Sequence, residues 1–281
     1  MSHPFAFLRA RRRTWPLLLP LVTALLFTAS LASARLASNR LAPERLVEFK
    51  AAAATLAAHK LAGAALTPLP GETHRYMLNL EAAEGFMTNE GIEFLTTIVS
   101  CALPRGETLF MMLGPDPLEF FGDIGLAPSW INHPLDKAGR GWVTACLLVR
   151  TNDSNVTNSL SLRGPHKALD TDAAELLSHP LEEGAFYGNY FESDGELFAC
   201  RGEDPFISLR LCTDQIPGDP THTMCGFVYA GDCGDFALTT PACEKSPSDS
   251  KGYYQKCHDG PIVPHRKSKK FQEVITSFLD G

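Results

Sequence analysis

The stretch that decides the fold runs from Trp142 to Cys200 and contains four segments: WVTACLLVRTN (142–152), VTNSLSLRGPH (156–166), LEEGAFYGNYF (181–191) and LFAC (197–200). The first segment predicts a helix over residues 137–150, and apolar side chains cover so much of its circumference that we expect burial on several sides. After it the apolar spacing changes from a period of 3.6 to a period of 2, which is typical of strands. We therefore expect a buried helix that leads into short strands.

The strands after this helix are predicted from alternation and from turn residues. Leu160 and Leu162 alternate with polar neighbours. Residues 185–191 and 196–201 predict a strand pair joined around Ser193-Asp194-Gly195, a sequence that suits a hairpin turn. Two more short strands are expected, at 206–212 and 225–230.

Helices are predicted on either side of the central stretch. An Ala-rich segment at 42–66 and a second segment at 88–102 carry apolar faces at helical spacing. The Pro- and Gly-rich segment 104–136 predicts a long irregular connector. A short amphipathic helix is expected at the C-terminal end, through Phe271, Val274, Ile275 and Phe278. The expected fold class is α+β: a helical N-terminal half packed on a small, mostly antiparallel sheet, with a disulfide-rich C-terminal part.

The first 34 residues have the organisation of a secretory signal peptide. Basic residues from Arg9 to Arg13 precede an apolar run from Leu17 to Ala29, and Ala32-Ser33-Ala34 is a small-residue cleavage sequence. The apolar run is short for a membrane span, which needs about 20 residues, and an uncleaved anchor is the alternative. We expect an exported protein with three parts: a signal peptide (1–34), an Ala-rich helix and linker (35–70), and a single α+β domain (71–281) that is cysteine-rich from about residue 200.

The charge of the chain argues against one class of partner. Four of its 25 basic residues lie in the signal segment, so 21 basic residues remain against 32 acidic ones, a net charge of −11. Nucleic acids and anionic lipids are bound by basic faces, so neither is expected as a partner. Membrane contact is expected only through an uncleaved signal, and no cofactor is indicated.

Eight cysteines indicate a disulfide framework, because their number is even and the chain is expected to be exported. They are Cys101, Cys146, Cys200, Cys212, Cys225, Cys233, Cys243 and Cys257. Cys101 and Cys146 both lie on predicted helices and are expected to pair with each other, while the other six leave many connectivities open. Zinc is the competing interpretation, but the spacings are wider than those of structural zinc sites, so no metal is expected.

Candidate site residues lie at the ends of predicted strands. If the protein is an enzyme, Glu183 and His166 are the expected catalytic pair, because glycoside hydrolysis uses carboxylates around the scissile bond. Glu182 and Glu183 either form a charged turn before a strand or, within a strand, point to opposite faces and cannot easily serve one site. Arg163 and His166 are expected to bind an anion or a sugar. Tyr187, Asn189 and Tyr190 lie on a polar and aromatic strand, and their exposed side chains are also expected to bind the ligand. Serine catalysis has no support, since no G-x-S-x-G elbow occurs.

Six segments stand out between residues 85 and 260: GLAPSW (125–130), WVTACLLVRTN (142–152), SLRGP (161–165), EEGAFYGN (182–189), ACRGE (199–203) and CGFVYAGDC (225–233). Together they resemble a group of exported bacterial proteins that have no established activity. The resemblance implies export and a single mixed domain, and it implies no catalytic residue.

The function expected from these observations is a binding or structural role, in a secreted or envelope-associated protein stabilised by disulfides. The set of catalytic groups is incomplete and the cysteines are numerous. Both observations favour a stable binding or structural protein over an enzyme. An envelope component or a polysaccharide is the expected class of partner. The alternative is a secreted hydrolase of polysaccharide or peptide that uses Glu183 and His166.

Overall fold

The computed structural model describes residues 36–38, 40–68, 74–113, 116–152, 157–203, 215–216, 219–223, 226–235, 240–245, 252–260 and 267–281. Contacts divide the chain into residues 1–31 and residues 32–281, and every described residue belongs to the second unit. Helices and mixed sheets give this unit the predicted α+β class. The expected signal peptide and the strand expected at 206–212 lie outside the described residues. Among the described residues, we find no helix with the length and hydropathy that a membrane crossing requires.

The largest sheet has eight strands. From one edge to the other they are β1 (Leu36–Ser38), β6 (Ser159–Arg163), β15 (Ile275–Leu279), β7 (Leu181–Gly188), β8 (Leu197–Arg201), β11 (Val228–Asp232), β10 (Asp219–Thr223) and β9 (Gln215–Ile216). β8 and β11 run parallel, whereas every other neighbouring pair in this sheet is antiparallel. The predicted hairpin corresponds to β7 and β8, and a Cβ on Gly195 in its turn would overlap the carbonyl oxygen of Asn189. The sheet is mostly antiparallel, as expected, but it is larger than expected.

A second sheet lies in the N-terminal half. Its strands, in order, are β2 (Ala62–Leu66), β3 (His74–Leu78), β4 (Glu107–Leu113) and β5 (Asp116–Phe121). β4 and β5 fall in the segment 104–136, which was expected to be irregular because of its Pro and Gly residues. Leu109 and Met111, two residues apart on β4, both point into the core, which is the spacing of a strand. The surrounding Pro and Gly residues make this spacing hard to recognise in the sequence. A helical N-terminal half is therefore not confirmed, since helices and strands are mixed there.

Three antiparallel strands form the third sheet: β12 (Cys243–Lys245), β13 (Tyr254–His258) and β14 (Lys270–Phe271). The helix predicted through Phe271 and Phe278 is wrong, because these residues belong to β14 and β15. Short apolar runs do not separate helix from strand. Val274, Ile275 and Thr276 are β-branched, and β6 and β7 supply hydrogen-bonding partners on both sides of β15.

The described residues also form six α-helices and three 3₁₀ turns. The α-helices are α1 (Glu44–Glu48), α2 (Lys50–Ala57), α3 (Leu80–Ala83), α4 (Asn89–Ala102), α5 (Lys137–Arg150) and α6 (Ala173–Ser178); the 3₁₀ turns are Glu84–Phe86, Pro128–Ile131 and Lys167–Leu169. The predictions of α4 and α5 are confirmed. Side chains of Thr88 and Asp136 cap their N-termini. The helix predicted at 42–66 ends at Ala57, and its last residues form β2 instead.

The main core is built around α5, which packs on β7, β8 and β15 and also on α4. Val143, Cys146 and Leu147 of α5 are fully buried, as the pattern over the whole circumference predicts. The first helical segment joins the same core, because the Phe49 ring between α1 and α2 stacks on Phe86 at a centroid distance of 5.7 Å. This segment is therefore packed rather than free.

A second core lies on the other face of the large sheet. Alternation along β7 sends Phe186 into the main core and Tyr187 into the second one. Tyr254 and Phe271 of the three-stranded sheet complete the second core. The three-stranded sheet is thus held against the large sheet by apolar side chains.

Candidate functional site

Three disulfides are present among the described residues. They join Cys101 to Cys146, Cys200 to Cys233, and Cys243 to Cys257. The first confirms the pairing expected between the two predicted helices, while Cys212 and Cys225 lie outside the described residues. Three disulfides are compatible with an oxidising compartment.

One group of three possible metal ligands occurs in the described part of the chain. The sulfurs of Cys200, Cys243 and Cys257 lie within 4.8 Å of one another, and those of Cys200 and Cys243 are 3.4 Å apart. All three sulfurs are in disulfides, whereas metals are bound by thiolates. The cluster therefore consists of two disulfides packed against each other.

The pairing of β12 and β13 brings polar side chains to one face of the third sheet. Cys243 is paired with Cys257, and Glu244 with Lys256. Because side chains alternate along a strand, the disulfide faces the second core while Glu244, Lys256 and His258 share the opposite face.

His258 is the centre of this polar face. It is only 3% exposed. Its Nδ1 lies 2.7 Å from Oγ of Ser268, and its Nε2 lies 3.2 Å from Oε1 of Glu244. Its backbone is also fixed, since the carbonyl accepts a hydrogen bond from the hydroxyl of Tyr187 at 2.7 Å. The ring is thus held on both nitrogens and through the main chain.

The carboxylate of Glu244 is kept ionised by its neighbours. Nζ of Lys256 lies 2.7 Å from its second oxygen. This hydrogen bond, more than the one to His258, holds the pKa of Glu244 below its ordinary value. Ser268, His258, Glu244 and Lys256 therefore form one continuous hydrogen-bonded chain.

A polar groove of about 480 Å³ adjoins this chain of groups. It is lined by Pro165, Glu244, Lys245, Gln255, Lys256 and Gln272. Lys245 and the hydroxyl of Tyr254 each donate to Glu182, both at 2.7 Å. The groove thus offers side-chain amides together with charges of both signs, and it shares Glu244 with the group around His258.

Glu182 and Glu183 lie within β7 rather than in a charged turn before it. Both are buried. Glu182 accepts from Tyr254 and Lys245, whereas Glu183 accepts from the hydroxyl of Ser277 at 2.5 Å. The two carboxylates therefore have different partners, consistent with the expectation that adjacent strand residues do not serve one site.

Arg163, expected to hold an anion or a sugar, has internal partners instead. It is only 4% exposed. Its guanidinium donates to Oγ of Ser161 at 2.9 Å and to the carbonyl of His179 at 2.6 Å, and it lies 3.7 Å from the ring centroid of Phe278. Burial lowers the pKa of this guanidinium. These contacts give Arg163 a structural role.

His166 caps the 3₁₀ turn that follows β6. Its Nδ1 accepts from the backbone N–H of Ala168 at 3.0 Å, and its ring lies 5.1 Å from that of Trp142. Desolvation by burial lowers its pKa. His166 and Glu183 are therefore each held by partners of their own, which gives no support to a catalytic pair.

The strand residues expected to bind a ligand are also held internally. Tyr187 and Tyr190 were expected to be exposed, but both are fully buried. Asn189 accepts from the backbone N–H of Phe191 at 3.2 Å, within the turn that follows β7. The apolar pattern of LEEGAFYGNYF reflects burial on both faces of the large sheet, which alternation alone does not separate from an exposed aromatic face.

The two tyrosines differ in one atom-level feature that predicts opposite effects of the same substitution. The hydroxyl of Tyr187 donates to His258, whereas that of Tyr190 is buried with no hydrogen-bond partner among the described residues. Tyr187→Phe should lower the free energy of unfolding by about 1–3 kcal/mol, since it leaves a buried carbonyl without this donor. Tyr190→Phe should leave stability unchanged or raise it, because it removes an unsatisfied buried group. Urea unfolding of both variants is the measurement, and equal losses would contradict the assignment.

A second cavity, of about 380 Å³, lies between the first helices and the hairpin turn. It is lined by Leu46, Val47, Lys50, Asp194, Gly195, Glu196, Leu197 and Gly226. Nζ of Lys50 donates to the carbonyl of Gly195 at 2.9 Å, which ties the helix to the turn. Its lining is more apolar than that of the groove.

Glu244, His258 and Ser268 are not among the site residues predicted from the sequence. They are separated along the chain and match no nucleophile motif. The one usable signal is the pairing of Cys243 with Cys257, which places Glu244 and His258 diagonally on neighbouring strands. That pairing could not be chosen from the sequence.

No protein-family model, no curated protein and no solved structure matches this chain, so the site is interpreted from its own geometry.

Proposed function

We propose that the protein is an exported, disulfide-stabilised binding protein, secreted or associated with the cell envelope, and that its ligand occupies the groove beside β13. The observation that carries the proposal is the composition of that groove. Of the six described residues that line it, five are polar: Glu244, Lys245, Gln255, Lys256 and Gln272. Such side chains both donate and accept hydrogen bonds, which suits a hydroxyl-rich ligand.

A neutral polysaccharide is the ligand class that fits best. Among the described residues that line the groove, both lysines are paired, Lys245 with Glu182 and Lys256 with Glu244, which disfavours a polyanion. The acidic chain, with a net charge of −7 overall, would also repel an acidic polymer. The amides of Gln255 and Gln272 remain as the groups that would recognise hydroxyls.

The scaffold of the groove supports a binding role. The bridge between Cys243 and Cys257 joins the two strands that supply most of its lining, and Cys200–Cys233 packs against that bridge. A site held in advance loses less conformational entropy when it binds. The alternative of a hydrolase that uses Glu183 and His166 has less support, because both residues have internal partners.

The groove predicts which substitutions weaken binding. The chain should be retained in affinity electrophoresis through gels that contain a neutral glucan, and Gln255→Ala/Gln272→Ala should weaken this retention about tenfold or more, given about 1 kcal/mol per lost hydrogen bond. Asn132→Ala, an exposed amide on another element, is the matched control and should bind like the unaltered chain. Retention on isolated peptidoglycan, tested in parallel, distinguishes a wall component from a glucan.

Two outcomes would count against the groove. One is that none of the polymers retards the protein. The other is retention that the double glutamine variant leaves unchanged, which would place the ligand elsewhere on the surface.

A further inference from the structure

We propose that Ser268 is a nucleophile activated by His258 and oriented through Glu244, and that it accepts acyl groups from carboxylic esters. The proposal rests on the geometry of three side chains and goes beyond the binding role of the groove. A hydroxyl nucleophile needs a base within hydrogen-bond reach and a third group that orients the base. Both contacts are present: Oγ of Ser268 lies 2.7 Å from Nδ1 of His258, and Nε2 of His258 lies 3.2 Å from Oε1 of Glu244.

The proton positions in this group follow from the carboxylate. An ionised carboxylate only accepts hydrogen bonds, so Nε2 of His258 must carry the proton that Glu244 receives. In the neutral ring this leaves the lone pair on Nδ1, which faces the hydroxyl of Ser268. The ring thus accepts the serine proton at Nδ1, which is the arrangement required of a general base.

The burial of His258 distinguishes it from a surface histidine that contacts a serine by chance. His258 is almost completely buried, while Ser268 is half-buried and so partly open to solvent. The base is therefore shielded, and the nucleophile can be reached.

The reaction balances without a cofactor. Oγ of Ser268 bonds to the acyl carbon while its proton moves to Nδ1 of His258. The bond from the acyl carbon to the ester oxygen then breaks, and Nδ1 returns the proton to the leaving alcohol. Water attacks the acyl-serine, loses a proton to Nδ1, and the acid is released as Ser268 regains its hydrogen.

The chain contains an internal comparison. Oγ of Ser178 lies 2.9 Å from Nδ1 of the buried His179, but Nε2 of that ring faces the hydroxyl of Ser159, at 3.2 Å, rather than a carboxylate. Ser178 also donates to the carbonyl of Glu175 at 3.3 Å. Ser178 is exposed, so a reagent that modifies serines by access alone should prefer it to Ser268.

Labelling with diisopropyl fluorophosphate tests the proposal on the full chain. Peptide mapping by mass spectrometry should find the phosphoryl group on Ser268 and not on Ser178. Glu244→Gln should slow labelling at least tenfold, and Glu244→Asp, which keeps a carboxylate, should recover part of the rate. Ser268→Ala should abolish the label and the hydrolysis of 4-nitrophenyl acetate. Glu244 is half-exposed, so its variants should fold, which circular dichroism can verify.

Three results would overturn the proposal. The first is labelling of Ser268 that is no faster than labelling of Ser178, or no faster than in the chain unfolded by urea. Ser268 would then be only a hydrogen-bonding partner of a buried histidine. Equal rates in Glu244→Gln and in the unaltered chain would remove the orienting carboxylate. Ester hydrolysis that persists in Ser268→Ala would place the activity elsewhere.

Discussion

Removing the bridge between Cys101 and Cys146 is expected to lower the free energy of unfolding by about 4 kcal/mol. The bridge closes a loop with a sequence separation of 45 residues, and it joins α4 to α5 inside the main core. Cross-linking a longer loop removes more entropy from the unfolded chain, so its loss has a larger effect. Urea unfolding of Cys101→Ala/Cys146→Ala is the measurement, with both cysteines replaced so that no free thiol remains.

The bridge between Cys243 and Cys257 supplies the matched comparison. It closes a loop with a sequence separation of only 14 residues, so Cys243→Ala/Cys257→Ala should lose about 3 kcal/mol. This second variant should also be retained less by the glucan gel, and its Ser268 should be labelled more slowly. The reason is that the bridge holds the strands of Glu244 and His258 together. A larger loss of stability from the short loop than from the long one would contradict the unfolded-chain argument.

Replacing Arg163 by Met should lower the free energy of unfolding by about 3 kcal/mol. The change removes charge-assisted hydrogen bonds to Ser161 and to the carbonyl of His179, which are both buried, and it removes the contact with Phe278. Such hydrogen bonds contribute about 1.5–3 kcal/mol each, and the methylene stem of Met retains part of the packing. Arg163→Lys should recover little, because a single ammonium does not reproduce the guanidinium fork.

Arg140→Met is the control for this substitution. Arg140 is partly exposed; it lies 3.7 Å from Glu192, and its Nε donates to the carbonyl of Leu135 at 3.1 Å, so its contacts are less buried than those of Arg163 and its replacement should cost less stability. Urea unfolding and glucan retention, measured on both variants, distinguish an arginine that stabilises the fold from one that binds the ligand. Loss of glucan retention in Arg163→Met without any loss of stability would restore the ligand role that the sequence predicted for it.

The parts of the fold that sequence predicts well are those set by neighbouring residues. α4 and α5 are marked by capping side chains and by apolar faces, and the hairpin of β7 and β8 by its turn residues. The strand at 275–279 is different, because its conformation depends on partners far away in the chain. Without β6 and β7 on either side, the spacing of Ile275 and Phe278 suits a helix equally well.

The candidate site was harder to predict for the same reason. Glu244, His258 and Ser268 meet only after β12, β13 and β14 pair in one register, and that register depends on which cysteines join. The residues that the sequence favoured, such as Tyr187 and Arg163, were conspicuous because they are large or charged. Their type does not distinguish a ligand-binding side chain from one that is enclosed by the large sheet and the elements packed on it.

The position of β15 has a consequence for the way the chain is made. β15 lies between β6 and β7 in the large sheet, yet the whole cysteine-rich segment separates it from β7 in the chain. While a ribosome is still producing that segment, β6 and β7 have no strand between them, and the apolar side of α5 has only part of its cover. Closing so distant a contact is slow compared with local structure. The large sheet therefore cannot close between β6 and β7 until residues 275–279 have been synthesised.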